Sequence, residues 1–122
     1  MDGPAALTFA QLRATNAARA ARWHPGFPLD DKWSGADWSN AAAGEMGEAC
    51  NVVKKLRRQE TGGRGAVDPD YPVLLAKLGD EIADTIIYLD LLAAYYGIDT
   101  AAAVASKFNA VSVREGLPER LA

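Results

Sequence analysis

Apolar positions recur every three to four residues over long stretches of the chain, and period-two alternation is almost absent. Alanine is abundant and β-branched runs are scarce, so the pattern predicts an all-α fold, a four-helix bundle-type unit. The first helix is expected from Thr8 to about Arg22, because Thr8 and Gln11 have the spacing of a capping box and His24-Pro25-Gly26-Phe27-Pro28 then stops it. The second begins after Ser34, whose hydroxyl can cap while Asp37 sits near the positive end of the dipole, and continues to about Gln59. Thr61 to Asp70 reads as a loop. Pro72 suits the first turn of a third helix that persists to Tyr96, where Gly97 can take the left-handed conformation. Asp99 or Thr100 caps a fourth, which lasts to roughly Arg114 before Gly116 and Pro118 end it. No internal repeat or linker divides the pattern, so a single domain is expected over residues 1–122.

Composition narrows the classes. A chain of 122 residues, 49% hydrophobic and 24% charged, is long enough to bury a core. Its 13 basic and 16 acidic side chains give a net charge of -3, which disfavours nucleic-acid binding through phosphate neutralisation. One cysteine, Cys50, and one histidine, His24, provide neither an internal disulfide nor a set of soft zinc ligands, and a reducing cytoplasm is the expected location. Ile86 to Ile98, the most apolar stretch, is interrupted by Asp90 and too short to span a bilayer, and the N-terminus lacks a basic n-region, so no membrane partner and no export are expected.

The acids on the second and third helices change the picture. Glu45 and Glu48 share a side with Trp38, Ala41, Ala49, Val52 and Leu56, so carboxylates interrupt an apolar stripe. Such a carboxylate costs several kcal/mol unless it is paired or binds a cation. Glu81 and Asp84 repeat the i, i+3 spacing, with Tyr88 on the same side, Leu74 and Leu92 on one edge and Ile87 and Leu91 on the other. One such pair is an ordinary helix-surface feature; two, each on an apolar stripe, point to a site. Four hard oxygen donors from two helices suit Mg²⁺, with Mn²⁺ as a substitute, and Mg²⁺ is typically completed by substrate phosphates.

Glu45-Met46-Gly47-Glu48 followed by Glu81-Ile82-Ala83-Asp84 resembles the E-x-x-E … E-x-x-D signature of the all-α, MazG-like nucleoside triphosphate pyrophosphohydrolases. Gly79 to Tyr88 is similar to that family's third helix, and Lys107-Phe108-Asn109 to its C-terminal lysine and asparagine segment. The resemblance implies Mg²⁺ held by Glu45, Glu48, Glu81 and Asp84, and hydrolysis between the α- and β-phosphates to monophosphate and pyrophosphate, in sanitation of the nucleotide pool. The connection between the acid pairs is lengthened by Gly62-Gly63-Arg64-Gly65 relative to shorter members, and it is not a phosphate-cradling P-loop.

Phosphoanhydride hydrolysis needs cations on the phosphate oxygens and a positioned water. Glu48 is the first choice for the base that orients this water. Lys55, two turns after Glu48, reads equally as a phosphate contact or as a solvated helix-end residue, while the resemblance favours a phosphate role for Lys107. Trp38 is the first choice for stacking on a base, with filling of the core as its alternative, and Tyr88 could close over the sugar. Asn109 joins the substrate contacts through the resemblance alone. Asn16 and Asn51 read alike as base contacts or helix-surface polarity, and Gly44 and Gly47 as sites of close helix approach or tolerated surface glycines. The alternative function is a non-catalytic helical module for self-association or partner binding, its acids paired with Lys54, Lys55, Arg57 or Lys107.

Self-association is also expected. Leu78, Ile82, Ile86 and Leu89 suffice to pack the third helix, which leaves Ile87 and Leu91 as a second apolar edge, and Val104, Phe108 and Val111 add further surface needing cover. The resemblance implies dimers or dimers of dimers, with the cleft completed near a subunit interface, and a tetramer is preferred.

Overall fold

The structure, a computed structural model, describes residues 6–29 and 32–122. Four α-helices make up the fold: α1 (Phe9–Trp23), α2 (Gly35–Thr61), α3 (Tyr71–Tyr95) and α4 (Thr100–Arg114), with no strand among the described residues. The all-α expectation holds, and every helix end lies within two residues of its predicted place. Local chemistry explains this accuracy. Thr8 Oγ1 accepts the Gln11 N–H at 3.0 Å, the Ser34 N–H donates to Asp37 Oδ2 at 2.8 Å, and Asp99 Oδ1 accepts the Ala102 N–H at 3.1 Å. Each such cap is worth about 1 kcal/mol. Beyond α3 and α4, Gly97 and Gly116 take φ values of +67° and +69°, where a β-carbon would be strained.

One element departs from the expected loop. Gly65–Val67 forms a 3₁₀ turn, followed by Asp68, whose Oδ1 accepts the Asp70 N–H at 2.9 Å and whose Oδ2 lies 3.3 Å from Arg64 Nε. A single turn held by such bonds is shorter than any period a hydrophobic pattern can reveal. Among the described residues no single helix is long and apolar enough to cross a membrane.

Contacts divide the chain into two compact units, one of Trp33–Leu89 and one of Met1–Lys32 with Asp90–Ala122. In the first, α2 buries Trp38, Ala42, Ala49, Val52 and Leu56, with Glu45 half-buried in the same register. On α3, Tyr71, Leu74, Leu78, Glu81, Thr85 and Tyr88 form a half-buried series, with Ile87 half-buried beside it. Both series advance by alternating steps of three and four, the spacing of a helix–helix seam. Trp38 meets Tyr88, Glu45 meets Glu81 and Asp84, and Gln59 shares a groove with Leu74, so the two helices run antiparallel.

This seam corrects the expected packing of α3. Ile82, Ile86 and Leu89 do not face the core but are 46–49% exposed, whereas Leu91 is buried and Ile87 half-buried. The acids lie in and beside the seam, and that rotates the first apolar edge outwards. Gly44 and Gly47 do not mark close helix approach either, since a β-carbon added at either would meet nothing within 4 Å.

In the second unit α1 packs with α4. Asp90 is 3% exposed, and its Oδ1 accepts Arg13 Nε at 3.0 Å while its Oδ2 accepts Asn16 Nδ2 at 3.1 Å. Arg13 also donates to the Ile98 carbonyl at 2.7 Å and to Thr100 Oγ1 at 3.0 Å. A buried carboxylate needs this compensation. Asn16, read from sequence as a base contact or surface polarity, is instead buried in this network.

Candidate metal centre

Glu45 and Glu81 occupy facing seam positions, and Asp84 stands one helical turn beyond Glu81. One carboxylate oxygen from each of the three converges, all within 4.8 Å of one another. Glu45 and Glu81 are half-buried, whereas Glu48 and Asp84 are exposed and open the cluster to solvent. The Glu81 carboxyl is pushed up from 4.5 to about 7, first by desolvation, then by hydrogen bonding with the Glu45 and Glu48 carboxyls and by their negative charge. Of its two oxygens, Oε2 is shielded from solvent and has no hydrogen-bond partner among the described residues. Among the described residues, no lysine or arginine makes an ion pair with any of the four acids.

A shielded acceptor without a donor, ringed by further carboxyl oxygens, is the arrangement that a hard divalent cation satisfies. The donor set is oxygen only, which suits Mg²⁺ or Mn²⁺ and not a soft metal. The residues present therefore fit the expected ion.

The remaining candidates fall into different places. Trp38 is 2% exposed, its ring 4.6 Å from that of Trp33 and 6.3 Å from that of Tyr88 by centroids. It fills the core, so the stacking role expected of it is not what the geometry offers; Trp33 and Tyr88 are the partly open members of the cluster. Lys55 is exposed and lines a cleft of about 440 Å³ with Arg58, Gln59, Asp70, Val73 and Leu74.

Lys107 and Asn109 are on α4, in the other unit. Lys107 is exposed. Asn109 is not a free contact: its Nδ2 donates to the Leu121 carbonyl at 2.9 Å and its Oδ1 accepts the Leu121 N–H at 2.7 Å. The amide clamps the C-terminal segment, a pairing twelve residues apart that no helical pattern announces. Sequence reasoning also overlooked Arg58 and Gln59 beside Lys55, and Arg13 as the partner of Asp90. The one available signal was Asp90 itself, a charge set in an apolar run. Comparison with family models, curated proteins and solved structures gives no match to the chain.

Proposed function

We propose that the chain is a Mg²⁺-dependent nucleoside triphosphate pyrophosphohydrolase of the MazG-like kind, acting on deoxynucleotides in the cytoplasmic pool. The observation that carries the reading is the shielded, donor-free Glu81 Oε2 among the carboxyls of Glu45, Glu48 and Asp84. Glu45, Glu81 and Asp84 hold the ion, with Glu48 beside Glu81. Bound Mg²⁺ would neutralise phosphate oxygens and so stabilise the charge that develops during phosphoryl transfer.

The protein's own groups supply the rest. Glu48, on the open rim, accepts the proton of a water whose oxygen bonds to the α-phosphorus. The bond from the α-phosphorus to the bridging oxygen breaks, and the electron pair leaves with pyrophosphate. Lys55 lies about 10 Å further along α2 on nearly the same side, within reach of a triphosphate chain, and acts there as a point charge.

The test is a nucleotide panel with Mg²⁺, analysed for monophosphate and pyrophosphate. Glu48→Gln, Glu81→Gln and Asp84→Asn should each lower the rate by at least about 100-fold while helical content is retained. Full activity in any two of these variants at saturating Mg²⁺ would overturn the assignment.

A further inference from the structure

The unit that contains α1 and α4 holds a cleft that the acid cluster does not use. Its volume is about 470 Å³, within the range of about 300–1,000 Å³ typical of small-molecule sites. Its lining residues fall between Phe9 and Ala14 or between Asp90 and Ala101, so it belongs wholly to the unit of Met1–Lys32 with Asp90–Ala122. Glu45, Glu48, Glu81 and Asp84 belong to the other unit. Most of the wall is apolar: the Phe9 ring, 43% exposed, and the methyl groups of Ala10, Ala14 and Ala101. Gly97 adds bare backbone, and a β-carbon there would meet nothing within 4 Å.

Two polar groups on this wall have unfilled bonding capacity. A guanidinium carries five N–H donors. Arg13 uses three, from Nε to Asp90 and from Nη2 to the Ile98 carbonyl and Thr100 Oγ1, and Nη1 makes no hydrogen bond or ion pair among the described residues. The bonds at Nε and Nη2 hold the plane of the group, which makes Nη1 a fixed donor. Asp99 accepts the Ala102 N–H with Oδ1, and its second oxygen meets no donor among the described residues. Asp99 stands between Ile98 and Thr100, both bonded by Arg13 Nη2, so the unfilled donor and the unfilled acceptor border the same end of the cleft.

Charge decides what these groups accept. Asp90 at 3.0 Å already balances Arg13, and Asp99 adds a negative charge, so an anion gains little there. A cation would face the guanidinium. A neutral ligand with a carbonyl for Nη1 and an N–H for Asp99 satisfies both, and the rest of its surface must be apolar to match the Phe9 ring and the alanines. A planar ring with a carbonyl and an N–H side by side on one edge combines these properties. We propose that the cleft binds a neutral planar cyclic amide, the class that contains the oxo-pyrimidine and oxo-purine bases, with Arg13 and Asp99 reading its amide edge. The assignment does not rest on the hydrolase reading, since none of its residues belongs to the acid-bearing unit.

The test titrates the full ¹⁵N-labelled chain, in chelator and without nucleotide, with uracil as a one-ring probe and hypoxanthine as a two-ring probe. Either should bind with a Kd of about 1 mM or below and shift the amide signals of Ala10, Ala14 and Ala101 and the Nε–H of Arg13; the tighter probe gives the number of rings the cleft prefers. 1,3-Dimethyluracil keeps both carbonyls of uracil but has no N–H, and should bind at least about tenfold more weakly. Asp99→Asn keeps a capping oxygen and puts a donor in place of the unfilled acceptor, while Ala101→Leu extends an exposed side chain into the cleft. Each should weaken binding at least about tenfold with helical circular dichroism retained. If one variant fails to fold, the other and the methylated probe decide. A Kd above about 1 mM for both probes overturns the proposal, as do shifts confined to Trp33–Leu89. So does an affinity that N-methylation, or both variants, leave unchanged. Hydrolysis is measured separately, so loss of either conclusion leaves the other standing.

Discussion

Replacing Arg13 with methionine isolates the buried network of the Asp90 unit. Arg13 Nε is 3.0 Å from Asp90 Oδ1, and the two side chains are 28% and 3% exposed. Removing one partner of a buried ion pair costs about 3–5 kcal/mol, because the remaining charge is left without compensation. Partial exposure of Arg13 sets the cost at the lower end, and Asn16 still donates to Asp90. The bonds from Arg13 to Ile98 and Thr100 add about 1 kcal/mol or less each where water can replace them. Arg13→Met should therefore destabilise the fold by about 3–4 kcal/mol, a large share of the ordinary stability of a small domain, and lower Tm by roughly 12–16 °C. The assay is urea unfolding followed by far-ultraviolet circular dichroism and by tryptophan fluorescence, whose coincidence tests two-state behaviour. Arg13→Met with Asp90→Leu should recover more than half of the loss, because no buried charge is then stranded. A single-variant cost below about 1 kcal/mol, or a double variant no more stable than Arg13→Met, would refute the reasoning.

The site and the segment ends give further predictions. Glu81 titrates near 7 in the folded chain against 4.5 ordinarily, so the folded state holds this proton more tightly. Its contribution to stability is present below 4.5 and is lost as pH rises through about 7; unfolding in chelator should show that decline, and Glu81→Gln should flatten it. An unchanged slope in the variant would count against the desolvated carboxyl cluster. Hydrolysis in ¹⁸O-water should place the label in the monophosphate, and orthophosphate as the first product would exclude the proposed reaction. Asn109→Ala should release the Leu121 segment, read as faster amide exchange at Leu121 with a stability loss of about 1 kcal/mol or less. Thr8→Ala should cost about 1 kcal/mol in thermal unfolding through loss of the α1 cap.

The helices were legible because their determinants are local. Thr8, Ser34 and Asp99 bond to backbone or side-chain groups three residues away, and Gly97 ends α3 through its own φ. The spacing of Glu45 with Glu48, and of Glu81 with Asp84, likewise fixes that each pair lies on one helical side. Periodicity fixes which residues share a face, but not which way that face turns. Both Ile82-Ile86-Leu89 and Ile87-Leu91 have helical spacing, and only the tertiary structure leaves the first exposed, Ile87 half-buried and Leu91 buried. Arg13 and Asp90 are 77 residues apart, and Asn109 reaches Leu121 beyond the end of α4, so both bonds depend on tertiary placement. The raised pKa of Glu81 belongs to the same class: its carboxyl is an ordinary one until antiparallel packing of α2 and α3 desolvates it and brings Glu45 and Glu48 beside it. Local hydrogen bonding and helical period are properties of neighbours in the chain, whereas burial and convergence of charge are properties of neighbours in space.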